Sequence, residues 1–129
     1  LYFYDTGLLC HLLGIREAAQ ILTHPLRGAL FENHVVAETA KAYLHHRRTP
    51  PLFFWRDRTG HEIDLVIEEA GLLYPVEIKS AQTLSGDMLN GLRWWCDLSG
   101  QSLDSATLVY GGEERYTRRG VAVRPWFGV

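Results

Sequence analysis

The sequence predicts a single α/β domain, and three observations lead there. A long stretch with apolar residues at three- and four-residue steps comes early. Three strand-like runs separated by turn residues follow it. Helical spacing then returns and gives way to further strand-like runs. A length of 129 residues suits one domain with a real core better than two. The expected order is helix, three strands, helix, strand, with one short extra strand.

The chain opens on Leu1 with the strand-like run "LYFY", and Asp5 or Thr6 is placed to cap a short helix that Gly14 ends. "REAAQIL" reads as another helical turn, broken by Pro25. From Arg27 to His46, Phe31, Val35, Val36, Thr39, Ala40 and Tyr43 line one apolar stripe, and Pro50-Pro51 closes the helix off. "LFFWRD", "EIDLVIE" and "LLYPVEIKS" then form a meander with turns at Thr59-Gly60 and Ala70-Gly71. Met88, Leu89, Leu92, Trp95 and Cys96 have helical spacing before the stop at Gly100. The last strands, "ATLVYG" and "GVAVRP", flank a polar hairpin, "GEERYTRRG", whose arginines read as a solvated tip.

Composition narrows the class. With 47% hydrophobic and 22% charged residues, the chain matches a globular protein rather than a disordered tail. Cys10 and Cys96 lie far apart and form no C-x-x-C, which fits reduced thiols in the cytoplasm and disfavours a zinc site. No run approaches a membrane span, and no signal peptide is visible. A formal charge of −2 demands no polyanionic partner, so nucleic acid would need a local basic patch. The opening on Leu1 suggests a piece of a longer protein.

The second and third strands carry the unusual chemistry. A two-residue turn at Ala70-Gly71 pairs Glu69 with Leu72 and sets Asp64 opposite Glu77, with Cβ atoms about 4.5–5.5 Å apart. Glu77 and Lys79 then share a face, about 6.6 Å apart along the strand. Ile63, Leu65, Ile67, Val76 and Ile78 take the other face, so one side of the sheet is buried and the other gathers carboxylates. Facing like charges destabilise a sheet. A shared proton, an Arg or Lys partner, or a divalent cation would each relieve them. One amine, Lys79, does not neutralise two acids. Glu32, inside the apolar stripe of the long helix, would add a third acid to the cluster.

Asp64, residues 65–76, then Glu77-Ile78-Lys79 resembles the PD-(D/E)XK motif of restriction-endonuclease-like nucleases, with Ile63 in place of the motif's proline. The element order is similar to the αβββαβ core of that fold, a central mixed sheet flanked by helices. "LYFYDTGLL", "RGALFENHVV", "FFWRDRTGHEIDLVI" and "PVEIKS" are also similar to the C-terminal domain of bacterial and archaeal AAA-type ATPases, from Leu1 to about Tyr110. The resemblance implies one nuclease-like domain over 1–129, residues 1–26 joining an upstream ATPase region and 27–125 forming the core. It implies Asp64, Glu77, Lys79 and Glu32 as catalytic residues. Asp64, Glu77, Glu32 and the carbonyl of Ile78 would be ligands of Mg²⁺ or Mn²⁺, and Lys79 would orient or deprotonate the attacking water. ATP would act only through the upstream module, since no P-loop motif occurs in this chain. Expected partners are nucleic acid, DNA ahead of RNA, and the ATPase module in cis, with no membrane and with a homo-oligomer left open. The alternative is an inactive module that binds nucleic acid or protein and regulates the attached ATPase.

Arg56 and Arg58 could touch a phosphate backbone, although a solvated turn explains them as well. Arg47 and Arg48, with His45 and His46, end the long helix and complement its dipole, with nucleic-acid contact as a second reading. His34 and Glu38 lack the further histidine of a zinc protease. Trp94 could stack a base, whereas Trp95 belongs to the core stripe.

Overall fold

The computed structural model describes residues 1–128. Short helices α1 (Thr6–Leu12) and α2 (Ala18–Thr23) precede the long α3 (Arg27–His45). Strands β1 (Leu52–Arg56), β2 (Glu62–Glu69) and β3 (Leu72–Lys79) follow, then α4 (Asn90–Ser99), β4 (Thr107–Tyr110), β5 (Tyr116–Arg118) and β6 (Val121–Pro125). The six strands form one mixed sheet in the order β1-β2-β3-β4-β6-β5. β1 to β3 are an antiparallel meander, while β3, β4 and β6 run parallel. Parallel neighbours need a crossover, and α4 supplies it between β3 and β4. The α/β class expected from the sequence is therefore what forms. No helix among the described residues is long and apolar enough to cross a membrane.

Local chemistry sets the element ends. The Asp5 carboxylate accepts the Leu8 N–H and starts α1, and Gly14, at φ 74°, follows it. Gly100 closes α4 in the left-handed region at φ 70°. At the β2–β3 turn Ala70 and Gly71 both have positive φ, 52° and 78°, as a two-residue turn with right-handed strand twist requires. Glu69 pairs with Leu72, so the register of the hairpin is the one expected.

Helices cover both faces. Val35 and Val36 of α3 pack with Leu65, Val76, Ile78 and Val109 on one side. On the other side Leu89, Leu92, Trp95 and Cys96 close over Ile63, Val66, Leu108, Val121 and Val123. Four expectations change. Ile63 leaves the face of Leu65 and Ile67, because β2 carries a bulge. Between Phe53–Val66 and Trp55–Ile63 the pairing advances two residues on β1 and three on β2, so one residue of β2 is extra. The carboxylate face is likewise not open, since α4 covers it. The polar hairpin is not a bare tip but contains β5, paired antiparallel with β6, while β4 and β6 are parallel neighbours.

The fourth change is at the N-terminus, where "LYFY" forms no strand. Its backbone is satisfied by a side chain instead. Asn33, only 4% exposed on α3, accepts the Phe3 N–H (2.7 Å) and donates to the Phe3 carbonyl (3.0 Å) and to Thr6 Oγ1 (3.2 Å). An asparagine amide has a donor and an acceptor side by side, so it can stand in for a neighbouring strand.

Candidate functional site

The bulge in β2 falls at Asp64–Leu65 and breaks the β2–β3 ladder just where the acids lie. The regular pairs end at Leu65–Val76. Beyond them the Asp64 side chain takes over, Oδ2 accepting the Ile78 N–H at 2.8 Å. Bulges re-aim side chains in this way beside functional sites. On β3, strand alternation turns Glu77 and Lys79 to the α4 side. The Lys79 ammonium pairs with Glu77 Oε1. Glu77 is 9% exposed, and its Oε2 is buried without a hydrogen-bond partner among the described residues. That oxygen lies under the first turn of α4, where a Cβ on Gly91 would stand 3.9 Å from it.

Electrostatics reflect this crowding. Burial, then the charge of Asp64, raises Glu77 to about 7, and the bond to Lys79 only partly opposes them. Burial also raises Asp64, opposed by the Ile78 N–H and Lys79 and reinforced by the charges of Glu32 and Glu62. Burial works to lower Lys79, but its bond to Glu77 and the acids around it hold the ammonium above its usual value. An acid that prefers its proton beside an amine that keeps its own is consistent. Lys79 shares its charge among several carboxylates, and Glu77 is the most deeply buried of them.

The charge of Glu32 reaches Asp64, but Glu32 is engaged elsewhere. Its Oε1 accepts the Tyr2 hydroxyl at 2.6 Å. With Asp64 bonded to Ile78 and Glu32 to Tyr2, no three His, Cys, Asp or Glu among the described residues stand together as metal ligands. Asp64, Glu77 and Lys79 are brought together, and Glu32 stands at their margin. The fit to a cation is partial. Buried carboxylate oxygen, one atom of it unsatisfied, suits a hard ion such as Mg²⁺, which is commonly held by one or two carboxylates.

Two participants escaped the sequence reading. Glu62, two residues before Asp64, adds its charge to the cluster, and its alternating position was the available signal. Tyr2 had no local signal, because it arrives from a distant segment. Its phenol is held far above its usual value by burial, the bond to Glu32, and the charges of Glu32, Asp64 and Glu62.

The arginines divide between the two ends of the sheet. Arg56 lies opposite Glu62, 4.0 Å from its carboxylate, close to Asp64 in sequence and register. Arg58 is exposed in the Asp57–His61 turn, which Asp57 ties by accepting the Thr59 and His61 N–H groups. Beside that turn His61 stacks on Trp94, ring centroids 4.0 Å apart, while Trp95 is core. Arg48 instead bonds Glu69 at 3.1 Å and covers the Tyr43 ring. Glu69 faces Leu72, so Arg47 and Arg48 sit about 17 Å from Glu77 along β3, at about 3.4 Å per residue. They are remote from the acids.

Comparison with known proteins adds kinship without chemistry. An uncharacterised protein of Mycobacterium tuberculosis and one of Mycobacterium bovis are each 35% identical over 118 residues, covering 90% of this chain and 24% of theirs. The chain thus spans about a quarter of the length of the curated relatives it matches. No solved structure matches it significantly. With the long helix, both acidic strands and the sheet as far as β6 inside the match, the chain belongs to the family described as a domain of unknown function, DUF4143, whose model aligns with residues 27–126.

Proposed function

We propose that this domain is a divalent-metal-dependent phosphodiesterase acting on nucleic acid, built on a restriction-endonuclease-like core. The observation that supports this most is Glu77 Oε2, a buried carboxylate oxygen without a hydrogen-bond partner among the described residues, next to the Asp64 charge and the Lys79 ammonium. Folding alone gives no reason to bury two acids so close together. Asp64 and Glu77 would hold Mg²⁺ or Mn²⁺, with Glu32 and the Ile78 carbonyl completing the set. When bound, the cation supplies Lewis-acid polarisation of a phosphate oxygen and a more acidic water. Lys79 holds its proton tightly, which favours stabilising negative charge on the phosphate over acting as a base. Arg56 and Arg58, at the same end of the sheet, would contact the substrate backbone, DNA ahead of RNA. Arg47 and Arg48 would reach only a more distant part of it.

In the whole protein, an upstream AAA-type ATPase module in cis is the partner we propose, in the cytoplasm and with ATP bound only there. Exposed Leu8 and Leu12 on α1 and Leu22 on α2 offer that module an apolar surface.

Two observations favour a second reading, an inactive module that regulates the ATPase. Glu32 is already taken by Tyr2, and the acids do not converge as a three-ligand set. Labelled single- and double-stranded DNA and RNA, incubated with Mg²⁺, Mn²⁺ or EDTA, separate the two. The nuclease reading expects metal-dependent cutting by wild type that falls at least about a hundredfold in Asp64→Ala. Cutting that survives the substitution, or none with the full-length protein, sinks it.

A further inference from the structure

We infer that Tyr2 is a positioning residue for the acidic site, and that it makes cation binding there depend on how the segment before α1 is seated. The inference rests on the metal-site reading above. Glu32 and Asn33 are consecutive on α3, and both bind the same segment. Asn33 grips the backbone of Phe3 through its N–H and its carbonyl and also reaches Thr6 Oγ1. Those three bonds fix where the preceding residue stands. Tyr2 is thereby held with its hydroxyl 2.6 Å from Glu32 Oε1. One oxygen of Glu32 is oriented, the other takes no protein hydrogen bond among the described residues, and the charge of Glu32 reaches Asp64.

Carboxylates that bind cations are commonly oriented by such a second hydrogen bond, and its loss costs about 10–100-fold in metal affinity. A phenol suits the role, because it is rigid over its whole length and offers a single donor. The alternative is that Tyr2 holds Glu32 away from the site. The two differ in sign, since an orienting bond strengthens metal binding and a sequestering bond weakens it. The orienting sense is favoured because the bond engages only Oε1 of Glu32 and, among the described residues, leaves the second oxygen without a protein hydrogen bond, where a cation could take it.

The consequence is regulatory. Whatever moves residues 1–5 also moves the hydroxyl that aims Glu32, so an element attached to this segment would act on the acids without touching them.

The test is Mn²⁺ binding by titration calorimetry, with no nucleic acid present. Wild type, Tyr2→Phe, Glu32→Gln, the double variant Tyr2→Phe/Glu32→Gln, and Asp64→Asn are compared. Tyr2→Phe removes only the hydroxyl and leaves the Asn33 grip, so its melting temperature should stay within about 2 °C of wild type. We expect its Mn²⁺ affinity to fall about tenfold, and the substitution to have no further effect once Glu32 is Gln. A merely structural role would add its effect in both backgrounds. Unchanged or tighter binding by Tyr2→Phe, with wild-type binding that Asp64→Asn abolishes, overturns the role of Tyr2 and leaves the metal site standing. No Mn²⁺ binding by wild type overturns both.

Discussion

Replacing Glu77 with Gln separates what this residue costs the fold from what it contributes to the site. Burial and the Asp64 charge lift its carboxyl from 4.5 to about 7, with the Lys79 attraction already included. Below pH about 4.5 the group is protonated in both the folded and unfolded chain, and folding loses nothing. As pH rises towards 7 the unfolded chain releases the proton while the folded one retains it. Stability therefore falls across that window and levels off above it. At about 1.4 kcal/mol per pKa unit, the loss is about 3 kcal/mol. Glutamine keeps the shape without the titration. Its stability relative to wild type should accordingly rise by about 3 kcal/mol between pH 4 and pH 8, or about 10 °C in melting temperature for a domain of this size.

Asp64 is shifted in the same direction by the same burial, so the two acids titrate as a pair and the fall with pH in Glu77→Gln shrinks without vanishing. Urea unfolding of both proteins in EDTA, at half-unit pH steps, measures the difference directly. A difference that is flat with pH, or one that favours wild type as pH rises, would refute the assignment of Glu77 as a destabilising buried acid. Mg²⁺ offers a second arm. If the pair holds the cation, added Mg²⁺ should return part of the lost stability to wild type at pH 8 and none to Glu77→Gln.

Two further substitutions probe the scaffold around the site. Asn33→Ala strands the Phe3 N–H and carbonyl and should cost about 2–3 kcal/mol, with the Phe3 amide changing from slow to fast hydrogen exchange. An exchange rate like wild type's would mean that the N-terminal segment is held by something else. Gly112→Ala would put a Cβ 2.2 Å from the Tyr110 ring and 2.8 Å from the Gln82 carbonyl, so the loop after β4 must shift. We expect a loss of about 2 kcal/mol in denaturant unfolding, and equal stability would contradict the packing of that loop.

Much of the fold was legible because it is encoded locally. Pro25, Gly14, Gly100 and the Ala70-Gly71 pair each act on their own few residues, and the structure uses each as its chemistry demands. Alternation in β3 was equally readable, and it sets Glu77 and Lys79 on one face. So was Glu32, an acid out of place on an apolar stripe, although nothing near it in sequence shows what it touches.

Tertiary structure decided the remainder, through groups far apart in the chain. The alternation of β2 promised Ile63, Leu65 and Ile67 a common face, but the bulge answers to β1 and sends Ile63 to the opposite core. "LYFY" has strand propensity, yet its backbone bonds are met by an asparagine side chain thirty residues away, and no strand is needed. Burial of the acids is also collective. Nothing in "GHEIDLVIEEAGLLYPVEIKS" says that α4 will close over Glu77, that one of its oxygens will lack a partner, or that Tyr2 will reach Glu32. The sequence by itself determined which residues carry charge and that β3 turns Glu77 and Lys79 to one face. Only the packed chain determined how far water is excluded from those charges, because desolvation depends on what covers a group and not on its neighbours in sequence.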